Sequence, residues 1–324
     1  MRVVRPVVYT AIVFALLTAV CAAPQSPPAA RRANNRIDVT AVSVPLNAQD
    51  PSQRAIGDFL YAGGVALTSR QTDRLHGLSD LEVLPGDRLT AVSDDGDLVE
   101  ARLLFDDAQH LVGVTDVRIG PLMSEDASPL TDKADADAEG LAILPNGDRL
   151  VSFERRHRIL LYPANGGLPR RVPAPNASFP ANEGLEAVSI DPERGDDAYV
   201  AGAEASGETW TCRLSSTCTK GPTVEKPQEF GLVSMKRVRG LDTVYLLRAF
   251  DAVRGSRISL QIFRSGTRVA TMNMARPLTV DNYEGIAAVP RSNGGVRFYL
   301  LSDDNGGNPQ RTLLMAFDWI AAVR

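Results

Sequence analysis

An all-β propeller is the fold this sequence predicts, and three observations predict it. Short apolar runs alternate with clusters of Gly, Pro, Asn and Asp along most of the chain, the pattern of brief strands joined by tight turns. Convincing helical periodicity is absent. A motif in which glycine leads into an apolar run also returns at the spacing of a four-stranded blade: Gly140, Gly184, Gly231 and Gly285 lie 44, 47 and 54 residues apart. A β-sandwich would explain many short strands but not the repeat. Composition agrees, with 26 Gly, 21 Pro and 6% aromatic residues suiting short strands, and 44% hydrophobic with 23% charged residues falling in the globular range. A net charge of -4 without a long basic run argues against a general nucleic-acid surface.

The first element is a targeting segment. Arg2 and Arg5 precede an apolar run from Val7 to Val20, followed by Cys21, Ala22 and Ala23. Charge, length and small flanking residues read as a signal peptide over 1–22, and the run is shorter than the roughly 20 apolar residues of a membrane span. Cys21 raises lipidation, but Val20 stands before it where a small residue is wanted. Loss of Arg2 and Arg5 takes the net charge from -4 to -6. Residues 23–36, rich in Pro and polar residues, read as a disordered tether, and the folded domain is expected over 37–324. Cys212 and Cys218 are then the remaining cysteines, and an oxidising compartment favours a local disulfide, with two free thiols as the alternative.

The repeats come next. Leu78–Leu84 turns at Pro85-Gly86-Asp87 and returns to Asp94-Asp95-Gly96. Asp137-Ala138-Glu139-Gly140 opens the second unit, which turns at Pro145-Asn146-Gly147-Asp148 and returns to Glu154. Asn182-Glu183-Gly184 opens the third, which ends at Glu204. A degraded fourth starts at Phe230-Gly231 and ends at Arg248; Asp281-Asn282-Tyr283-Glu284-Gly285 opens the fifth, which ends at Asp303. With strands between Ile37 and Leu67, these units give five or six blades, six being favoured.

Hairpin geometry turns this order into a site. Antiparallel strands bring the start of strand one beside the end of strand two, and rotation between blades gathers those positions at one channel mouth. Asp94, Asp137, Glu139, Glu154, Glu183, Glu204, Asp281, Glu284 and Asp303 are expected to converge there, with Arg248 the cationic exception. So many carboxylates repel one another, and a hard cation with oxygen ligands relieves that; Ca²⁺ is the first candidate. Three histidines without metal spacing argue against zinc. Asp and Gly at turns also occur for backbone reasons alone, so Asp94-Asp95-Gly96 and Asp303-Asp304-Asn305-Gly306 keep that second reading. Glu139, Glu183 and Glu284, each followed by glycine, are the stronger candidates for catalysis. Arg248 either clamps an anionic group or pairs with a neighbouring acid, and Arg155-Arg156-His157-Arg158 is either a solvated face or an anion-binding rim. No Gly-x-Ser-x-Gly elbow is present, which disfavours a serine esterase.

These pieces resemble the family called "esterase-like activity of phytase", the phytase-like domain proteins of bacteria. The likeness rests on Gly77-Leu78-Ser79-Asp80, Ser93-Asp94-Asp95-Gly96, Asp137-Ala138-Glu139-Gly140-Leu141, Asn182-Glu183-Gly184-Leu185-Glu186-Ala187, Tyr283-Glu284-Gly285-Ile286 and Ser302-Asp303-Asp304-Asn305. It runs from about Gly57 to Trp319. The resemblance implies a secreted β-propeller and, through a looser similarity to β-propeller phytases, Ca²⁺ held by carboxylates at a channel mouth. Ser79-Asp80 in the first unit and Phe230 in the fourth depart from the pattern, leaving the acid ring open on one side. The expected function is a secreted, calcium-dependent hydrolase of a phosphoester or related ester, a monomer acting on an anionic small molecule. A lactonase-type propeller enzyme and a non-catalytic binding propeller are the alternatives.

Overall fold

The computed structural model describes residues 35–307 and 309–320; the signal peptide, Cys21 and the tether up to residue 34 lie outside them. Asn35 and Arg36, assigned to the tether by sequence, instead pair with Ile119 and Arg118.

The strands form four-stranded antiparallel sets in chain order. Blade 1 comprises Leu78–Leu84, Arg88–Ser93, Asp97–Phe105 and Leu111–Pro121; blade 2, Ala138–Ile143, Arg149–Phe153, Arg158–Tyr162 and Arg170–Arg171. Blade 3 comprises Ala187–Ile190, Ala198–Gly202, Glu208–Arg213 and Ser216–Thr223; blade 4, Gly231–Arg237, Thr243–Asp251, Gly255–Arg264 and Thr267–Met274. Blade 5 takes Asn282–Pro290, Val296–Asp303 and Leu313–Trp319 from the end of the chain and its outermost strand, Phe59–Thr68, from the beginning. Each first strand lies against the first strands on either side, and that of blade 5 lies against that of blade 1. The protein is a closed β-propeller.

Among the described residues there are five such blades, not the favoured six. The region from Ile37 to Leu67 does not make a blade of its own. Phe59–Thr68 pairs with Leu313–Trp319, and Thr40–Ser43 and Ala55–Ile56 pair onto it in turn. The ring is thus closed by hydrogen bonds between the two ends of the folded chain. Gly63 is where this outer strand meets blade 1: its φ is +98°, and a Cβ there would fall 2.4 Å from the Leu111 carbonyl oxygen. Only glycine fits that approach.

Apolar residues fill the five spaces between neighbouring blades, not one central core. Tyr283 and Trp319, which the sequence leaves between core and pocket, are both buried in the layer between blades 4 and 5. Cys212 and Cys218 form the disulfide, joining the last two strands of blade 3. One helical turn, Lys133–Ala136, precedes blade 2, with the Asp132 side chain capping Ala134 N–H at 3.1 Å. No helix among the described residues is long and apolar enough to cross a membrane.

Candidate functional site

Bulges aim the mouth residues. In blades 1, 4 and 5 the first strand carries one extra residue at the same register, Ser79, Val233 and Glu284, and in blade 2 the pair Glu139-Gly140 sits across from Ser152 at that level. A bulge bends the strand and redirects a side chain; Glu284 meets Arg248 at the mouth in this way, whereas Val233 packs into the apolar layer between blades 4 and 5. Gly140 N–H is taken up by Ser152 Oγ at 2.9 Å, and a Cβ on Gly140 would lie 2.4 Å from the Glu186 carbonyl oxygen of blade 3. The glycine after Glu139 is therefore required by the close approach of two blades.

The ends of the second strands follow the same register. Asp94, Glu154, Glu204, Arg248 and Asp303 are equivalent, each two residues beyond the partner of Asp80, Gly140, Ala187, Ser234 or Gly285. The Glu154 and Glu204 N–H groups donate to the Asp137 and Gly184 carbonyls at 2.8 and 3.0 Å, closing their hairpins at the mouth.

Two carboxylate triads result. Asp137, Glu139 and Glu154 bring one oxygen each within 4.8 Å of one another, and so do Glu154, Glu186 and Glu204. Glu154 belongs to both. It is 4% exposed, and its Oε1 accepts the Gly184 N–H at 2.5 Å. Burial pushes the Glu154 carboxyl up to about 7, against the lowering effect of that N–H. Glu139 is driven well above the carboxylate range by burial and then by Glu284, Glu154 and Asp137; Glu186 is driven the same way by burial and Glu204. Neither Glu139 nor Glu186 has a side-chain hydrogen bond or ion pair among the described residues. Oxygens on opposite sides of a bound Ca²⁺ stand about 5 Å apart, since Ca–O distances are roughly 2.3–2.6 Å. The triads fit that span and offer the hard oxygen donors such an ion takes.

The far side of the mouth is internally paired. Arg248 Nη1 donates to Glu284 Oε1 at 2.7 Å and to Asn282 Oδ1 at 2.5 Å, and Nη2 reaches Glu204 Oε1 at 3.2 Å. Asn282 Nδ2 bridges Glu284 at 2.8 Å and Asp303 at 3.3 Å. Burial nevertheless holds Glu284 at about 8 and Asp303 at about 6.

The chain matches the family described as phytase-like, esterase-like activity of phytase, over residues 73–306. It belongs to the phytase-like family. No curated protein matches it in sequence. Solved structures with a similar course include a streptogramin B lyase (11% identity, 87% of this chain and 98% of that one, TM-score 0.43). A catalytically inactive virginiamycin B lyase from Staphylococcus aureus with quinupristin is another (10%, 87% and 100%, 0.44). The major Malassezia sympodialis allergen Mala s 1 is a third (13%, 87% and 96%, 0.43). These likenesses concern the fold and carry nothing about activity.

In this phytase-like chain the residues expected at the mouth separate into three groups, apart from Asp94, which pairs with Lys133 outside the triads. Asp137, Glu139, Glu154 and Glu204 come together in the triads, while Glu284, Asp303 and Arg248 form the paired side. Glu183 and Asp281 lie elsewhere: Glu183 is exposed on a turn, and Asp281 accepts Arg311 Nε at 3.3 Å away from the triads. Glu186 holds the position assigned to Glu183. The Glu-Gly pair at 183–184 imitates the motif of the other blades, but strand pairing starts at Ala187, so the equivalent of Glu139-Gly140 is Glu186-Ala187. The acidic Glu186 was visible in the sequence; its register was not.

Two further cations stand at the acidic side. Lys133, on the helical turn, reaches Asp94 Oδ2 at 2.5 Å and Asp137 Oδ1 at 2.8 Å. Burial opposes its charge, yet these acids push it up to about 12. Arg155 Nε meets Asp137 Oδ2 at 2.6 Å from a left-handed backbone, φ +52°, uncommon for a residue with a Cβ. Its terminal nitrogens have no partner among the described residues.

Beneath the mouth the channel is plugged. Lys236 Nζ of blade 4 lies 3.0 Å from both Asp80 and Glu82 of blade 1 and donates to the Leu141 carbonyl of blade 2 at 2.9 Å. Asp80, fully buried, also accepts Ser234 Oγ at 3.0 Å and Leu141 N–H at 2.9 Å. Blades 1 and 4 are not neighbours in the ring, so this pair crosses the channel. Ser79-Asp80, which departs from the Glu-Gly pattern, supplies the floor of the site.

Proposed function

We propose that this phytase-like protein is an exported calcium-dependent hydrolase of a phosphoester or related ester, acting at the channel mouth. The observation that carries the reading is the pair of carboxylate triads sharing Glu154. Asp137, Glu139, Glu154, Glu186 and Glu204 would hold the cation. Bound there, Ca²⁺ would offset the negative charge of substrate and cluster and acidify a water molecule. The second-strand hairpin ends and the bulges keep these carboxylates in place before a ligand arrives. Arg155, with a free edge beside Asp137, offers hydrogen-bond donors to substrate oxygens, while Lys133, whose three N–H groups are taken by Asp94 and Asp137, contributes its charge. The Asp80–Lys236 plug closes the site from below, so substrate enters and leaves by one face. The signal features of residues 1–22 support export to a compartment where a weakly binding calcium site can be filled.

The test uses the purified mature protein with p-nitrophenyl phosphate, a bis-aryl phosphodiester, an aryl acetate and a γ-lactone, each in calcium and in chelator. Calcium-dependent turnover of a phosphoester or of the aryl ester, reduced at least about tenfold by Glu154→Gln, supports the reading. Turnover of the lactone alone would move the assignment to a lactonase. Equal rates in calcium and chelator would remove the metal from the account.

A further inference from the structure

A second recess opens beside the acidic mouth, between blades 4 and 5. It is a cleft of 670 Å³ whose wall includes Arg248, Arg276 and Arg311. Arg248 and Asn282 belong both to this cleft and to the paired side of the mouth, so the two spaces share a wall. Among the described residues Asp281 is the one acid on the cleft wall.

The three arginines are engaged to different degrees. Arg248 is committed to Glu284, Glu204 and Asn282. Arg311 gives only Nε to Asp281, leaving its terminal nitrogens without a partner among the described residues. Arg276 has no hydrogen bond or ion pair among the described residues. Its guanidinium rests over Gly255, where an added Cβ would come within 3.3 Å of it, so the backbone there is bare to receive the side chain. A planar guanidinium with free N–H groups binds phosphate or carboxylate oxygens in a two-point manner.

The rest of the wall is apolar. Phe250 is 68% exposed, two residues from Arg248 on the same strand and therefore on the same face. Pro277, Leu278 and Val280 continue that surface. An exposed phenyl ring beside unpaired guanidinium groups suits a ligand that joins an oxyanion to an apolar body.

We infer that this cleft is a substrate subsite that takes an oxyanion, phosphate or carboxylate, borne on an apolar group, next to the ester held at the mouth. The inference rests on the hydrolase reading above and narrows its substrate class to esters with a separate anionic, partly apolar portion. Arg276 and Arg311 bind the oxyanion, and Phe250 packs against the apolar part.

Calorimetric titration of the mature protein tests it, with phenylphosphonate and benzoate as anionic probes and benzyl alcohol as the neutral one. In calcium, at least one anion binds and the alcohol does not; the better anion identifies phosphate or carboxylate as the preferred group. Arg276→Ala and Arg311→Ala each weaken that anion by about tenfold, the loss of a charge-assisted contact. Arg276 makes no side-chain hydrogen bond or ion pair among the described residues and only rests over Gly255, so its variant folds as the parent does, and its calcium affinity stays unchanged. Equal affinities in both variants and the parent, equal binding of benzyl alcohol, or no binding of either anion would overturn the subsite while leaving calcium binding intact. If calcium fails to bind but an anion still does, and Arg276→Ala loses it, the cleft stands and the calcium reading falls.

Discussion

Glu154 of blade 2 and Glu186 of blade 3 bring carboxylate oxygens within 4.8 Å of each other, and neither touches a cationic side chain among the described residues. In an ordinary protein surface such a pair would separate or gain a lysine. Here both are buried and fixed at the ends of strands, Glu154 by the Gly184 N–H. The repulsion is built into the fold, and a ligand of opposite charge relieves it.

Calcium should therefore stabilise the protein by linkage, by about 2.7 kcal/mol at a hundredfold excess over Kd, which is roughly 5–10 °C in Tm for a domain near this size. Glu186→Gln should remove most of the calcium-dependent rise. Glu183→Gln, on the exposed turn, should leave it unchanged. Thermal denaturation of both variants in calcium and in chelator reads this directly; a larger effect from Glu183 than from Glu186 would contradict the register derived from the strands.

Stability in chelator should depend on pH in a definite direction. Glu154, Glu284 and Asp303 have carboxyls raised in the folded protein to about 7, 8 and 6. Between their unfolded values and these, the folded state binds more protons than the unfolded state. Their contribution to stability is then greatest at low pH and is lost as pH rises from about 5 to 8. Calcium binds the deprotonated ligands, so its stabilising effect grows over the same window. Tm in chelator should fall between pH 6 and pH 8, and the gap between calcium and chelator should widen; a chelator Tm that climbs over this range would refute the assignment.

The buried plug gives a prediction independent of metal. Lys236→Met leaves the buried Asp80 and the partly buried Glu82 without their cation, which costs about 3–5 kcal/mol and lowers Tm by roughly 10 °C or more. Adding Asp80→Asn removes one of the stranded charges and should recover part of the loss. A single variant within about 2 °C of the parent, the loss of at most about 1 kcal/mol expected of exposed pairs, would show that the channel floor is open to water.

Much of this was legible in the residues. The turn at Pro145-Asn146-Gly147-Asp148 and the apolar runs beside it foretell the hairpin that sets Glu139 near Glu154, because alternation and turn chemistry are local. The position of Glu186 was not legible, since the loop before blade 3 carries a second Glu-Gly three residues early and only strand pairing decides between them. Lys236 was hidden for a related reason: it lies in a blade without the acidic motif, and its partner Asp80 is far away in sequence and across the channel. The blade count failed where local pattern says least, because Phe59–Thr68 looks like any strand and its partner Leu313–Trp319 lies at the other end of the chain. Lys133 and the cleft around Arg276 arise from loops brought together by ring closure, which no periodicity encodes.

Glu154 belongs to both carboxylate triads, and calcium titration calorimetry at pH 8 reads whether it joins them into one cation site. The parent protein should bind Ca²⁺ with release of protons, and Glu154→Gln should weaken binding more than Glu284→Gln, whose carboxylate is already paired with Arg248. Absence of calcium binding by the parent, or equal affinity in parent and Glu154→Gln, would contradict it.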